Sequence, residues 1–245
     1  MLIYVFYVLS VAVFGLSSAA ETTVPVVTCK RGSVNYFACL KHAVEEVWPQ
    51  LSEKGLSEFD FPALDPLLYE YGKAVFNTDI IHAEVIISNL TIIGISKTHF
   101  NGVRAHFLDD VFRLEIDTVI PKIFLKGTAK LDGTLGILRI VDKGPFNLNI
   151  DEVITTWDIT GHIINDTMIV EHFRMLPSVK KLEIYFEFFQ GNKEINDVAV
   201  NFVNEFWPPL YRAMLPLTSE AWDSWLSALC NRLFSKMSFS KLFPK

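Results

Sequence analysis

Beyond its first 20 residues the sequence contains no long hydrophobic run and no excess of positive charge. No later stretch reaches ~18 uninterrupted apolar residues, the approximate length that spans a bilayer, so we expect no stable membrane insertion. The 22 lysines and arginines are outnumbered by 28 aspartates and glutamates, and the formal net charge is −6 at pH 7. An acidic surface of this kind argues against nucleic acid and anionic lipid headgroups as partners.

The motifs of common catalytic and metal sites are missing as well. The six histidines form no HExxH motif and no other metal-ligand spacing, which predicts a protein without a metal or another cofactor. No G-x-S-x-G elbow is present, since the nearest candidate, Ser96, lacks the second glycine. Neighbouring carboxylates such as Asp109 and Asp110 diverge on a helix or strand and are typical of a solvated face. We therefore expect no enzymatic activity.

The first 20 residues have the layout of a secretory signal peptide. Residues 2–16 are almost entirely apolar, small residues occupy positions 17–20, and the first charged side chain is Glu21. The apolar run is short for a membrane span, and no basic stop-transfer segment follows it. An uncleaved N-terminal anchor is the alternative. We predict cleavage after Ala20, which leaves a single domain over residues 21–245 of a secreted, extracellular protein.

Two of the three cysteines, Cys29 and Cys39, lie ten positions apart at the start of a helical pattern. A metal site would need further ligands, and a redox pair would be expected as C-x-x-C. In an oxidising compartment the two residues instead predict a disulfide that pins the N-terminal segment to the helix. Cys230 lies in an apolar helical stretch and is expected as a buried free thiol rather than an intermolecular bridge.

Two acceptor triplets for N-glycosylation support secretion. They are N-L-T at Asn89 and N-D-T at Asn165, and neither has proline at its middle position. Such triplets also occur by chance, but in a chain with a signal peptide we expect at least one of them to carry a glycan.

Hydrophobic residues make up 50% of the chain and include 20 phenylalanines and 5 tryptophans. This is a large apolar share for a protein that is expected to be secreted. The surplus must either fill a core or line an internal space.

Helical periodicity occurs near both ends of the chain. Residues 37–53 have apolar side chains at helical spacing, and Pro49 is expected to kink or end that helix. The helical period returns from about 195 to 238, where Pro208, Pro209 and Pro216 must bend or interrupt it. An apolar helix of that length needs cover along its length.

The region between the helices alternates apolar and polar residues from about 74 to 190. Segments such as FRLEIDTVIP and KKLEIYFEFFQGN predict half-buried antiparallel strands. Turns are expected at Asp132-Gly133, at Lys143-Gly144-Pro145 and at Gln190-Gly191-Asn192. Since this sheet is the only cover available for the long helix, we predict an α+β fold. A strongly curved antiparallel β-sheet would wrap around a long C-terminal helix, with a short N-terminal helix at one end.

Ordered groups of residues resemble a known family. The N-terminal part has two early cysteines, a helix and then the segment Gly55–Pro66, and the middle has GTAKLDGTLGILRIVDKGPFNLNIDEV, with strands between spaced glycines. The C-terminal part has an ordered set of aromatic, glycine, asparagine and proline positions: Phe189, Gly191, Asn192, Asn204, Trp207, Pro216, Leu242 and Phe243. This set covers nearly the whole mature chain and resembles the insect takeout and juvenile-hormone-binding protein family.

The departures from the family pattern favour its takeout-like branch. Ala129 stands where the family usually has tyrosine, and Arg139 and Asp142 replace a proline and a glycine. The hormone carriers of the family usually have a second, internal disulfide, whereas Cys230 has no partner here.

The resemblance implies a sheet that encloses an apolar tunnel, and a monomeric carrier of a small hydrophobic ligand such as a juvenoid, terpenoid or fatty acid. The residues expected near this ligand lie on inward-facing strands and on the long helix: Phe112, Leu114, Phe186, Phe202, Phe206 and Met214. Two alternatives stay open: a secreted interaction protein with a filled core, and a secreted esterase that acts on lipids.

Overall fold

The computed structural model describes residues 27–77, 81–135, 138–189 and 192–245. The expected signal peptide, residues 1–20, lies outside the described residues, as do Gln190 and Gly191 of one expected turn. Within the described part the chain forms an N-terminal helix, one sheet of seven strands and a group of C-terminal helices.

The elements follow one another along the chain in the expected order. The helices are α1 (Tyr36–Glu53), α2 (Lys193–Glu205), α3 (Trp207–Phe234) and α4 (Phe239–Leu242), with short 3-10 turns at Ser57–Phe59 and Ile95–Lys97. The strands are β1 (Leu67–Asn77), β2 (Ile81–Ile93), β3 (His99–Leu108), β4 (Val111–Leu135), β5 (Leu138–Ile164), β6 (Thr167–Arg174) and β7 (Ser178–Phe186). Among the described helices, none combines the length and the apolar character needed to cross a bilayer.

The sheet is built on a long central hairpin of β4 and β5, which pair along nearly their whole length. Each of these strands has two partners on its outer edge. β4 pairs with β3 over residues 111–119 and with β2 over residues 124–135. β5 pairs with β6 over residues 158–164 and with β7 over residues 146–154. All of these pairings are antiparallel, as the alternating pattern predicts.

The sheet therefore has two halves that share the central hairpin. The covered half consists of β3, β6, residues 111–120 of β4 and residues 153–164 of β5. The open half consists of β1, β2, β7, residues 122–135 of β4 and residues 138–151 of β5. The helices bury the inner face of the covered half more completely than the inner face of the open half, and the two names refer to this difference.

The boundary between the two halves is a kink shared by β4 and β5. In β4 the inward side chains have even numbers as far as Ile120 and odd numbers from Ile123. Pro121 has no N–H to donate to the ladder, and Glu152, which lies opposite it, has a positive φ of 53°. The kink explains why two alternating segments of the sequence form a single strand of 25 residues.

The helix α1 packs against β3 and begins and ends close to the predicted positions. Its buried Trp48 contacts the rings of Phe100, at a centroid distance of 5.2 Å, and Trp157, at 5.5 Å. Pro49 does not end the helix, which continues to Glu53. The last turn is held because the buried Trp48 and its neighbours pack into the core on one side.

A disulfide joins Cys29 to Cys39, and Cys230 is a free thiol. Cys29 is only 1% exposed, so the bridge fixes the segment before α1 against the core.

The C-terminus is fixed to the same core, beside the N-terminal segment, since the N–H of Arg31 donates to the carbonyl of Pro244 at 2.9 Å. Phe112 has no exposed surface and packs between the rings of Phe239, at 5.0 Å, and Phe243, at 4.7 Å. The carboxylate of Asp166, in the turn between β5 and β6, accepts hydrogen bonds from the Ser238 hydroxyl and from the backbone of α4. The last residues therefore complete the core of the covered half.

The long C-terminal helix that the sequence predicts is divided into α2 and α3 at Phe206. Pro208 and Pro209 follow at once, and their missing N–H groups are tolerated in the first turn of a new helix. Pro216 lies inside α3, which continues past it to Phe234. The sheet thus wraps two consecutive helices, and the break lets their axes differ.

Asparagines bind the helices to the strand edges that the sheet leaves unpaired. The Asn204 side chain of α2 donates to the carbonyl of Ile184 at 2.8 Å and accepts from its N–H at 2.7 Å. Asn231 of α3 makes the same two hydrogen bonds to Val170, both 2.8 Å. Because an exposed strand edge invites pairing with another chain, these contacts both attach the helices and cover the edges.

Two of the predicted turns are wrong, because the structure places their glycines inside strands. Gly133 lies in β4, and Gly144 lies in β5 together with Pro145. A Cβ atom at Gly144 would collide with the carbonyl oxygen of Glu187, so this glycine marks a close approach of two backbones. In both cases the glycine permits close packing within the sheet rather than a reversal of the chain.

Candidate functional site

A cavity of about 660 Å³ lies between the inner face of the sheet and the helices α1 and α3. This volume falls within the range of small-molecule binding sites, roughly 300–1,000 Å³. Both halves of the sheet contribute to its wall, so the cavity extends across the kink.

The part of the wall that the sheet forms is explained by the alternation of inward and outward side chains along the central hairpin of β4 and β5. In the covered part of this hairpin the side chains of β4 and β5 that reach the cavity are Leu114, Ile116, Ile120, Val153, Thr155, Trp157 and Ile159. In its open part they are Ile123, Leu125, Leu148 and Ile150, and the neighbouring strands add further apolar side chains. Because successive side chains of a strand point to opposite faces, the charged residues between these positions are kept out of the cavity.

The helices close the cavity from the other side. α1 contributes Leu40, Ala43, Val44, Val47, Trp48 and Leu51, and α3 contributes apolar side chains along most of its length. Among the described residues, no Lys, Arg, His, Asp or Glu side chain lines the wall. The cavity therefore suits a molecule that is mainly apolar.

The outer face of the covered half has the opposite character. Arg104 of β3 binds Glu115, at 3.1 Å, and Asp117, both on β4. Arg113 makes two hydrogen bonds of 2.8 Å to Asp158 of β5. The hydrogen bonds from Arg104 lower the pKa of Glu115 and of Asp117, and those from Arg113 lower the pKa of Asp158. These charged groups stabilise the sheet from outside and do not face the cavity.

A few polar groups interrupt the apolar wall. The hydroxyl of Tyr211 donates to the carbonyl of Pro177 at 2.8 Å, and burial raises its pKa. The hydroxyl of Ser219 donates to the carbonyl of Met175 at 3.3 Å. Burial also raises the pKa of the Cys230 thiol, to about 12, so this cysteine is protonated at neutral pH and behaves as an apolar side chain.

Two of the six predicted tunnel residues, Leu114 and Met214, line the cavity. Met214 is also 44% exposed, so the cavity comes close to the surface at this point of α3. Phe112 does not line the cavity, because α4 folds over its end of β4 and surrounds it with aromatic rings. The sequence pattern predicts that Phe112 faces inward, but it does not show whether this side chain contacts a cavity or a packed core.

The other three predicted tunnel residues also lie outside the cavity wall. Phe186 is buried at the end of β7 and stacks on Phe188 at 4.8 Å. Phe202 and Phe206 are 50% and 45% exposed and contact each other at 5.0 Å. The neighbouring Val203 of α2 lines the cavity instead.

Sequence reasoning missed the tryptophans and the threonine of the wall. Trp48 and Trp157 line the cavity from α1 and β5, and Thr155 lies between apolar neighbours on β5. A signal for Thr155 does exist, since it is a polar residue at an inward position of an otherwise apolar strand face. The sequence gives no comparable signal for the tryptophans, because a core tryptophan and a cavity tryptophan look alike.

The predicted glycosylation sites are both accessible. Asn89 and Asn165 have exposed side chains and positive φ angles of 52° and 50°. Within the residues that the structure describes, no group of three or more potential metal ligands comes together.

Comparison with known proteins places this architecture among insect proteins. A profile of the family described as "Haemolymph juvenile hormone binding protein (JHBP)" matches residues 7–244 of the chain. The "Circadian clock-controlled protein daywake" of Drosophila melanogaster is 21% identical over 227 residues, covering 88% of this chain and 87% of that protein. The protein of the same name from Drosophila yakuba is 21% identical over 229 residues, covering 87% and 86%.

A solved structure shows the same fold. The crystal structure of Epiphyas postvittana Takeout 1 matches with a TM-score of 0.71 and 16% sequence identity, covering 90% of this chain and 100% of that chain. At this identity the likeness concerns the fold, which is a curled antiparallel sheet with helices at the C-terminus and a short helix at the N-terminus.

Proposed function

Because this chain belongs to the haemolymph juvenile hormone binding protein family, we propose that it is a carrier that holds one small hydrophobic ligand in the cavity between the sheet and the helices. Candidate ligands are a juvenoid, a terpenoid, a fatty acid or a similar molecule. The observation that carries the proposal is the cavity of about 660 Å³ with an almost wholly apolar wall. A protein with a completely filled core would have no such space.

The hydroxyl groups of the wall support binding rather than catalysis. Those of Tyr211 and Ser219 donate to main-chain carbonyls, and within the described residues neither is hydrogen-bonded to a histidine or carboxylate that could activate it. The ion pairs of Arg104 and Arg113 lie on the outer face of the sheet. The proposed function is therefore carriage without chemical change of the ligand.

Ligand binding of this kind is driven by burial of apolar surface, at about 25 cal/mol per Å². We expect affinity to increase with chain length across a series of alcohols or terpenoids until the cavity is full. We also expect little dependence on ionic strength, because no charged side chain of the described residues lines the wall. Displacement of a fluorescent apolar probe measures both. A complete lack of saturable binding, or an affinity that collapses with added salt, would contradict the carrier function.

A pair of tryptophan substitutions tests the location of the site. Leu148 lines the cavity, so Leu148→Trp should fill space and weaken the longest ligands most. Phe206 lies outside the wall and is 45% exposed, so Phe206→Trp serves as the control and should bind as the wild type does. If both variants bind long ligands equally well, the ligand lies elsewhere.

The proposal includes secretion of the protein as a monomer after cleavage near Ala20. The Cys29–Cys39 disulfide supports an oxidising compartment, and the exposed side chains of Asn89 and Asn165 can accept a glycan. Expression in insect cells should release a protein that starts near Glu21 and whose mass falls on treatment with a glycosidase. A product retained in the cell with an intact N-terminus would contradict this part of the proposal.

A further inference from the structure

The hydroxyl groups of the cavity wall are concentrated in one region. Asp158 of β5 pairs with Arg174, the last residue of β6, and Ile154 of β5 pairs with Ser178, the first residue of β7. Residues 155–157 of β5 therefore lie opposite residues 175–177, which connect β6 to β7. The hydroxyls of Tyr211 and Ser219 are bonded to the backbone of this same connection. Thr155 therefore belongs to a polar region of the wall in which α3, β5 and the connection meet.

Of the four hydroxyls that line the wall in the described residues, three donate to main-chain carbonyls at 3.3 Å or less. Tyr211 and Ser219 donate to the connection, and Thr218 donates to the carbonyls of Leu215, at 3.1 Å, and Met214, at 3.2 Å. Each of these oxygens is held in place by the hydrogen bond that it donates. The Tyr211 bond has an ordinary length, whereas those of Thr218 and Ser219 are longer than the usual range of about 2.5–3.0 Å. A ligand would have to compete with these carbonyls for the hydroxyl protons.

The hydroxyl of Thr155 is different. Within the described residues its hydrogen-bond partner is the carbonyl of the next residue, Thr156, at 3.4 Å. Good O–H···O hydrogen bonds are about 2.5–3.0 Å long, so this contact is weak at most. Thr155 is nevertheless only 6% exposed, and it lines the cavity. A buried hydroxyl with no good acceptor costs stability, and valine would fit the same strand position without that cost.

The direct partner of Thr155 on β4 is also a threonine. Thr118 lies opposite it in the register, is 1% exposed, and donates to the Thr155 carbonyl at 3.0 Å. This bond fixes the backbone of β5 just beside the kink. The Thr155 side chain is thereby held on a rigid strand instead of a loop, which favours recognition of a ligand atom in one defined position.

We propose that the Thr155 hydroxyl is the specificity-determining donor of the ligand site, and that the ligand is a neutral, otherwise apolar molecule with one acceptor oxygen, such as a ketone, an aldehyde or an ester. This inference rests on the proposed carrier function and adds the chemical class of the ligand. The acceptor oxygen lies against Thr155, and the hydrocarbon part extends along the apolar wall in both directions. An ionised carboxylate fits poorly, because the described wall offers no cation to balance a buried charge.

The test compares three ligands of equal carbon count: a long-chain methyl ketone, the corresponding alkane and the corresponding fatty acid at neutral pH. Each displaces N-phenyl-1-naphthylamine from the wild type, from Thr155→Val and from Thr156→Val. Thr156 is the matched control, because it is the next residue on the outer face, where its hydroxyl donates to Asp117 at 2.7 Å. Thr155→Ser keeps the hydroxyl and tests whether the donor or the methyl group matters.

The wild type should bind the ketone roughly five- to tenfold more tightly than the alkane, as expected for one neutral hydrogen bond in an apolar site. Thr155→Val should abolish this preference while its alkane affinity stays the same, and Thr155→Ser should retain it. Thr156→Val should have the wild-type preference. In the infrared spectrum, the carbonyl stretch of the bound ketone should move to higher wavenumber in Thr155→Val, because the hydrogen bond is lost.

Several outcomes would overturn the inference and leave the carrier function intact. These are equal weakening of ketone and alkane in Thr155→Val, an unchanged carbonyl stretch, or binding of the ionised acid as tight as that of the ketone. A wild type that binds none of the three ligands would instead refute the carrier function itself. Circular dichroism of each variant shows whether it is folded, and we expect Thr155→Val to fold because valine is favoured in strands.

Discussion

The two halves of the sheet share the same central strands but differ in what covers them. In the covered half the inward residues of β4 from Phe112 to Ile120 are all buried, since α1, α3 and α4 pack against that side. In the open half the corresponding residues Ile123 and Leu125, and their partners Leu148 and Ile150, are only partly buried. The two halves thus have similar apolar patterns, but their inward side chains are buried more completely on one side of the kink than on the other.

We expect the two halves of the sheet to contribute differently to the stability of the fold and to ligand binding. The covered half contains the aromatic clusters around Trp48 and Phe112, and both the disulfide and the C-terminal residues are attached to it. In the open half the wall residues of the central hairpin are only partly buried, which leaves room for a ligand. We therefore expect substitutions in the covered half to affect unfolding, and those in the open half to affect binding.

The largest difference should appear between Phe112→Ala and Leu148→Ala. Phe112 is completely buried among aromatic rings, so its loss should lower the free energy of unfolding by about 3–5 kcal/mol. Leu148 is only partly buried beside the cavity, so its truncation should cost roughly 1 kcal/mol and change ligand affinity instead. Urea titration with and without ligand measures both effects. Equal destabilisation by the two variants would remove the distinction between the halves.

A smaller effect is expected when both Cys29 and Cys39 are replaced by serine. The bridge closes a loop of 11 residues, counted from Cys29 to Cys39, and a loop of this size corresponds to about 3 kcal/mol in the chain-entropy estimate. Thermal unfolding should show this loss, and reduced wild type should behave like the double variant. Since the bridge lies at the covered half, ligand affinity below the unfolding transition should be nearly unchanged. A large loss of affinity in folded protein would show that the bridge shapes the cavity.

The smallest effect concerns the charges on the outer face. The pKa of Asp158 is lowered by its hydrogen bonds from Arg113, so this pair stabilises the fold above the unfolded pKa of about 4. The stabilisation is lost as the pH falls through the lower folded pKa. Asp158→Asn should thus cost about 1 kcal/mol or less at neutral pH and make the acid side of the stability curve flatter.

The control for this substitution lies in the open half. Asp151 is 3.7 Å from Lys122, and both side chains are well exposed, so Asp151→Asn should leave the stability curve unchanged. Stability measured by urea titration between about pH 3 and pH 7 decides the matter. A flatter curve in Asp151→Asn but not in Asp158→Asn would reverse the assignment of the two halves.

Much of the fold could be predicted because periodicity is a local property of the sequence. The apolar spacing of α1, the alternation of β4, β5 and β7, and the return of helical spacing after residue 192 are visible without a structure. They were sufficient for the fold class, and the order of short motifs was sufficient for the family. The disulfide followed from two cysteines and an oxidising compartment.

The candidate site was only partly predictable, because facing inward is not the same as facing the cavity. Leu114 and Met214 line the wall, whereas Phe112 has the same apolar character and lies under α4. Phe202 and Phe206 are predicted from helical spacing alone, whereas in the structure Ala199, Val200 and Val203 are the side chains of α2 that pack against the core. Such assignments depend on contacts between segments that are distant in the sequence.

The sequence by itself determined that apolar side chains form one face of each strand and helix, since this depends only on residue type and spacing. The tertiary structure alone decided the kink at Pro121 and Glu152, the division of α2 from α3, and the part of the inner face that stays uncovered. It also decided that the Thr155 hydroxyl has no good partner in the described protein. The physical reason is that an apolar face must be buried, but which surface buries it, and whether a space is left, depends on how the elements pack.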